Sequence, residues 1–224
     1  ALDSATELDK NTAVGYSTLS AMSGSAGTGL NTAVGYIAGT AVTTGTHNTI
    51  VGANSGNTIN TGQYNTIMGA ETAISLAGGS YNSIIGRRAG YSLTSGAYNS
   101  TLGGFTLYSN QTGTGNVAMG SHAGYSMVGS GGVFIGYEAG YGVSSADIVL
   151  IGYKAGKRAY GTSNVGIGYN ALYGADSTAA NNTGTNNTAI GQNALKWFSK
   201  TIGTTAVGSE AGYYTTGSYN TFMG

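Results

Sequence analysis

Few side chains in this sequence could do covalent or acid–base chemistry. The histidines are His47 and His122, and the acidic residues Glu71, Glu138 and Glu210 lie far apart along the chain. Catalysis needs a nucleophile, a base and an acid converging on one pocket, and no such grouping is visible. No pair of carboxylates sits at glycosidase spacing. The absence of Cys rules out thiolate chemistry and disulfides. There is no zinc-ligand spacing and no calcium-binding Gly-Gly-x-Gly-x-Asp repeat. The many Gly-x-Gly strings lack a βαβ context. The expectation is therefore no catalytic residue, no metal, no cofactor and no enzyme.

Binding chemistry is better represented. The chain has 17 Tyr, and several recur at fixed intervals. Tyr91, Tyr108, Tyr125, Tyr141, Tyr173 and Tyr213 share one position of a repeat, and Tyr64, Tyr81, Tyr98 and Tyr219 share another. Such columns either cover corners or offer an aromatic surface to glycans and neighbouring fibres. Tyr125, Tyr141 and Tyr173 are the candidates for the second role. Arg88, Lys154 and Lys157 belong to two basic clusters, which serve solubility or dock an anionic polysaccharide. A longer unit from Tyr173 to Asn186 adds Asp176, Asn181 and Asn182 as loop candidates, since loops on a rigid scaffold carry recognition. Trp197, the single Trp, follows in the next unit.

These residues are positioned by a repeat. Asn31-Thr32-Ala33-Val34-Gly35 recurs as Asn48 to Gly52, Asn65 to Gly69, Asn82 to Gly86 and Asn220 to Gly224. Its closing glycines include Gly35, Gly52, Gly69, Gly86, Gly103, Gly120, Gly136 and Gly152. From Gly15 to Gly224 the spacings, by subtraction, are 20, 17, 17, 17, 17, 17, 16, 16, 16, 23, 17 and 16. About twelve units therefore cover residues 11–224 behind a lead-in of 1–10, with longer units at 16–35 and 169–191. So short a unit fits two brief strands and two turns. The residue before the glycine is always large and apolar, as in Val34, Val51, Ile85 and Ile135. Period two puts it on one face with the Thr, Ser or Val two places earlier. That pairing predicts a coil core built from Thr32 and Val34, with Ala33 turned toward a second copy of the chain. The small residue three places after each glycine is expected to oppose this core. The polar residue before it (Glu71, Arg88, His122, Glu138 or Lys154) is expected to face solvent.

Composition agrees with a solenoid. Gly reaches 41 of 224 residues, yet 40% of residues are hydrophobic, 7% are charged and the net charge is zero. Disorder needs the opposite balance. Neutrality gives nucleic acid and anionic membranes no electrostatic hold, and no apolar run approaches a membrane span. The start of the chain shows no signal-peptide pattern. Pro is absent, as it should be where every coil donates to its neighbours. Stacking at ~4.8 Å per coil would give a rod of roughly 55–60 Å.

Asn-Thr-Ala-Val-Gly-Tyr-Ile-Ala-Gly at 31–39 and Ser-Tyr-Asn-Thr-Phe-Met-Gly at 218–224 resemble two repeat families. One is the head of YadA-type trimeric autotransporter adhesins. The other, a closer match in unit length and Tyr placement, is a class of phage tail-fibre-like proteins. The resemblance implies a left-handed parallel β-roll, assembled as a homotrimeric rod. It implies an extracellular place on a virion or cell surface, and attachment to a glycan or protein receptor. Rival expectations are a filament subunit stacking end to end and an ice-binding solenoid. The latter is disfavoured while the Thr12, Thr32, Thr49 and Thr66 column is assigned to the core.

Overall fold

The computed structural model describes residues 10–23, 29–174 and 182–224. Its fold is all-β: a parallel β-solenoid of about twelve turns, with no helix among the described residues. The chain divides into two compact units, Ala1–Asn116 and Val117–Gly224. The first holds β1 (Thr12–Val14), β2 (Thr32–Val34), β3 (Thr49–Val51), β4 (Thr66–Met68), β5 (Ser83–Ile85) and β6 (Ser100–Leu102). The second holds β7 (Val117–Met119), β8 (Val133–Ile135), β9 (Val149–Ile151), β10 (Val165–Ile167), β11 (Thr188–Ile190), β12 (Thr205–Val207) and β13 (Thr221–Met223). Within each unit consecutive strands pair in parallel with equivalent residues facing one another. Examples are Thr49↔Thr66 and Ile50↔Ile67 in the first, and Val133↔Val149 and Phe134↔Leu150 in the second.

Each described coil carries one strand, not two. The segment after the anchor glycine is a run of turns whose second residue is left-handed, such as Asn54 (φ 53°), Glu71 (φ 55°) and Lys154 (φ 54°). It still bonds to the coil before it: Glu71 N–H donates to the Ala53 carbonyl at 2.9 Å, and Lys154 N–H to the Tyr137 carbonyl at 2.9 Å. A left-handed residue at every coil breaks strand geometry without breaking the stacking bonds.

The strand face is the reverse of the sequence expectation. The middle residue points into the core: Ala33, Ile50, Ile67, Ile84, Phe134 and Leu150 are fully buried. Its flanking residues point out, with Val34 36% and Leu102 50% exposed and Val51, Ile85 and Ile135 half-buried. Three-residue strands with an apolar residue in each parity satisfy period two in either sense. The deciding residue precedes the strand. Asn31, Asn48, Asn65, Asn82 and Asn99 are buried, so the strand enters from an inward-facing residue and the second residue after it faces inward too.

These asparagines form a ladder. The Asn48 N–H and Nδ2 donate to Asn31 Oδ1 at 2.9 and 3.0 Å, and Nδ2 also donates to the Gly62 carbonyl at 2.8 Å. The pattern repeats at Asn65, Asn82 and Asn99, and in the second unit at Asn187 on Asn164. The small residues Ala38, Ser55, Thr72 and Ala89 oppose the strand and are buried, as expected. A second large column, unforeseen in the sequence, completes the core with Met22, Val42, Ile59, Leu76 and Leu93.

The anchor glycine is required twice over. Gly35 has φ +143°, and a Cβ there would stand 2.4 Å from the Gly52 carbonyl oxygen. Elsewhere glycine makes room: a Cβ on Gly132 or Gly140 would lie 2.4 or 2.2 Å from the Phe134 ring.

Asn65→Ala removes the acceptor of two Asn82 donors and two donated bonds, all buried. It is expected to lower stability by about 2–4 kcal/mol, read as a shift of the urea midpoint. A change below about 0.5 kcal/mol would mean the ladder is not a principal support.

Candidate functional site

Each unit presents an outward strand face. In the first unit it presents Thr12, Thr32, Thr49, Thr66, Ser83 and Ser100 in one row. Val14, Val34, Val51, Met68, Ile85 and Leu102 form the other. In the second unit the first row becomes Val117, Val133, Val149 and Val165, beside Met119, Ile135, Ile151 and Ile167, and returns to Thr188, Thr205 and Thr221 beside Ile190, Val207 and Met223. No charged residue stands in either row. Met68 is 39% exposed, Met119 40% and Met223 74%.

Two aromatic columns border this face. Two residues before the strands, His47, Tyr64, Tyr81 and Tyr98 stack with centroids 4.5, 5.0 and 5.1 Å apart and planes within 19°. All four are left-handed, with φ between 56° and 60°. Two residues after the strands, Tyr16 stacks on Tyr36 at 5.5 Å, and Tyr137, Tyr153 and Tyr169 stack at 5.5 and 5.2 Å. This second column was not singled out from the sequence. The recurring Gly-Tyr at 15–16, 35–36, 136–137, 152–153 and 168–169 was the signal.

The sequence candidates lie mostly on the turn side of the coil. Tyr125 and Tyr141 are half-buried and stack at 5.1 Å, with His122 5.6 Å from Tyr125. Their inner ring faces are covered by each other, which leaves edges and hydroxyls for a ligand. Tyr173 meets Trp197 edge-on at 5.2 Å. The Trp197 Nε1 donates to the Tyr213 hydroxyl at 3.2 Å, and the Lys196 ammonium sits 5.2 Å from the Trp ring centroid. Asp176 and Asn181 lie outside the described residues. Asn182 does not belong to a binding surface: it is fully buried, its carbonyl takes the Tyr160 N–H at 2.8 Å, and Gly174 packs against its side chain.

The basic candidates are already engaged. Arg88 is paired with Glu71 and lies 5.8 Å from the Tyr91 ring centroid. Lys157 donates to Glu138 at 2.6 Å, with both side chains largely buried, and lies 5.0 Å from the Tyr141 centroid. Lys154 sits 4.8 Å from the Tyr153 centroid, and its hydrogen bond with Tyr153 raises its pKa above the ordinary lysine value. A polyanion would have to displace these contacts. The polar turn column is not uniformly solvated either: Asn170 and Asn193 are buried, at 8% and 9% exposure.

His122 Nδ1 lies 2.8 Å from the neighbouring Ser121 Oγ, and His47 Nδ1 lies 3.0 Å from Thr46 Oγ1. Each contact joins sequence neighbours, a local turn contact. Among the described residues no three His, Cys, Asp or Glu side chains gather as metal ligands, and no helix is long and apolar enough to cross a membrane. No protein-family model, curated protein or solved structure matches the chain.

Glu71 accepts a hydrogen bond from Arg88, and that bond holds its carboxyl below the ordinary glutamate value. A depressed carboxyl pKa stabilises the fold above the unfolded value of about 4.3 and loses that contribution as pH falls through the folded value. Both side chains are about one-third exposed, so the effect on stability is small. Arg88→Ala should return the Glu71 titration, followed by side-chain carboxyl NMR, to the ordinary range. An unchanged titration would mean that the pair does not form in solution.

Proposed function

We propose that this chain is a non-enzymatic segment of an extracellular fibre, a homotrimer of parallel β-solenoids that holds an attachment surface on a rigid support. The observation that carries this reading is the uncharged strand face. In each unit large apolar side chains stand exposed on or beside this face, among them Val34, Met68 and Leu102 in the first and Met119, Tyr153 and Ile167 in the second, and a contiguous exposed apolar surface marks an interaction site. A face this apolar calls for cover, and a fibre supplies it with further copies. The repeat residues at 31–39 and 218–224, which resemble tail-fibre-like and YadA-type adhesin repeats, point to the same assembly. Attachment to a cell-surface glycan or protein would then use what association leaves outside: the turn-side tyrosines and the Tyr173–Trp197–Tyr213 group.

One observation favours a second reading. The Thr12, Thr32, Thr49 and Thr66 row faces outward, so the assignment to the core that disfavoured an ice-binding surface is overturned. The length of the array argues for a protein partner: the Thr row passes into Ser83 and Ser100, and the row beside it changes from Val14, Val34 and Val51 to Met68, Ile85 and Leu102, where an ice lattice would need a uniform surface. Thermal hysteresis in the purified chain would reverse this preference.

Sedimentation equilibrium is expected to return three times the chain mass. Ile167→Glu, at a 37% exposed position, should shift the equilibrium to monomer by at least about tenfold in dissociation constant with an unchanged circular dichroism spectrum. A wild-type monomer at all concentrations would refute the proposal.

A further inference from the structure

The two columns bordering the strand face differ in a coordinated way. In the first coils the trailing column, two residues after the strand, is aromatic: Tyr16 and Tyr36. The leading column, two residues before the strand, holds Lys10 and Leu30 there. Further along the first unit the positions exchange. Tyr64, Tyr81 and Tyr98 lead, while Ala70, Arg87 and Gly104 trail. At β3 His47 leads and Ala53 trails. In the second unit Tyr137, Tyr153 and Tyr169 trail, opposite Gly131, Asp147 and Ser163. Among the described coils none carries an aromatic side chain in both columns.

Nothing within one chain demands this exclusion. The two positions of a coil are six residues apart across an extended strand, roughly 15–20 Å. Two rings so separated do not compete for one space. The tyrosines involved are also exposed, from 40% at Tyr153 to 69% at Tyr16, so no intrachain wall limits them. The exclusion makes sense if the leading column of one copy meets the trailing column of another at the same coil. Each level of the shared groove then holds at most one ring, supplied from either side; β7, β11 and β12 supply none, with Gly115 and Ser121, Asn186 and Gln192, and Gly203 and Ser209 in the two columns.

We infer that copies of this chain associate in parallel and in register, the leading column of each packed against the trailing column of the next. This rests on the self-association proposed above and specifies its geometry. A contact between two different edges of one chain is heterologous, and repeated about an axis it closes into a ring. The non-aromatic partners fit the rings they would meet. Ala70 and Gly104 leave room for Tyr64 and Tyr98. The Tyr81 ring faces are stacked on Tyr64 and Tyr98, so the Arg87 guanidinium would donate to the Tyr81 hydroxyl. Asp147 would accept from the Tyr153 hydroxyl.

Exchanging the sides of one ring tests this. Ala70→Tyr adds a second ring to the β4 level and should weaken the oligomer by about tenfold through overpacking. Ala70→Tyr with Tyr64→Ala moves the ring to the other column and should recover most of that loss relative to either single variant, by sedimentation at matched concentration. An unaffected Ala70→Tyr oligomer, or a double variant no better than the singles, would overturn the inference. The chain has no Cys, so cross-linking gives a second reading. Gln192→Cys co-refolded with Asn186→Cys should form covalent dimers under mild oxidation, because the two share the β11 level. Gln192→Cys with Ser163→Cys, one coil away, should not. Cross-linking in the offset pair, or of Gln192→Cys with itself, would contradict the register or the heterologous contact. A wild-type monomer would sink the self-association reading itself. An oligomer indifferent to these changes would sink only the geometry argued from the two columns.

Discussion

The buried asparagine ladder is the constraint on which the rest of each coil depends. An amide in an apolar interior is costly unless its donors and acceptor are used. Here the Oδ1 of one coil takes two donors from the next, and Nδ2 reaches both the previous Oδ1 and a carbonyl further along its own coil. These bonds can be made only if successive coils stay at one pitch and in one register. A slip by one residue would leave the amides unpaired and would also turn every strand inside out. The anchor glycines work in the same direction, since their backbones approach too closely for any side chain.

Where the ladder is missing, packing takes over. In the second unit its position is held by Gly132 and Ile148, both buried. The strands there carry Phe134 and Leu150 as their inward residues, both fully buried. Glycines 132 and 140 around the Phe134 ring provide the space it occupies. Two different solutions therefore sustain one coil geometry. One is polar and strict in register, and the other is apolar and dependent on volume. Stability in such a stack is a sum over coils and their contacts with neighbours, so a local exchange of one solution for the other is tolerated.

The sequence disclosed the repeat, the parallel stacking, the number of turns and the small buried column. All of these follow from residue spacing, which the eye reads without coordinates. The orientation of the strand was not legible in the same way. In Thr49-Ile50-Val51 both parities are apolar, so period two has two equal solutions, and the arbiter was the buried Asn48 before the strand. The turn side was misread as strand because propensity does not announce a left-handed Glu71 or Arg88. At the candidate surface, Asn182 looked like a loop residue because polar stretches usually are. It is buried between the Tyr160 N–H, which donates to its carbonyl, and Gly174 beside its side chain, contacts that composition does not mark. The exposed Tyr153 column was in plain view as a repeated Gly-Tyr, but its meaning depends on which strand face is outside.

Stacking also limits what the tyrosines can recognise. A sugar ring binds an aromatic side chain through its face, yet in the ladders most faces are turned toward the next coil at about the stacking distance. What each ladder offers outward is a row of ring edges and hydroxyls at one-coil intervals. Such a row suits a partner with the same interval, and a second solenoid of the same sequence has it by construction. Isolated glycans do not. The aromatic columns beside the strand face are thus matched in period to another copy of the chain. A receptor of different symmetry would find its best purchase where the ladders end or tilt, as at Trp197, whose ring meets Tyr173 edge-on instead of continuing the stack.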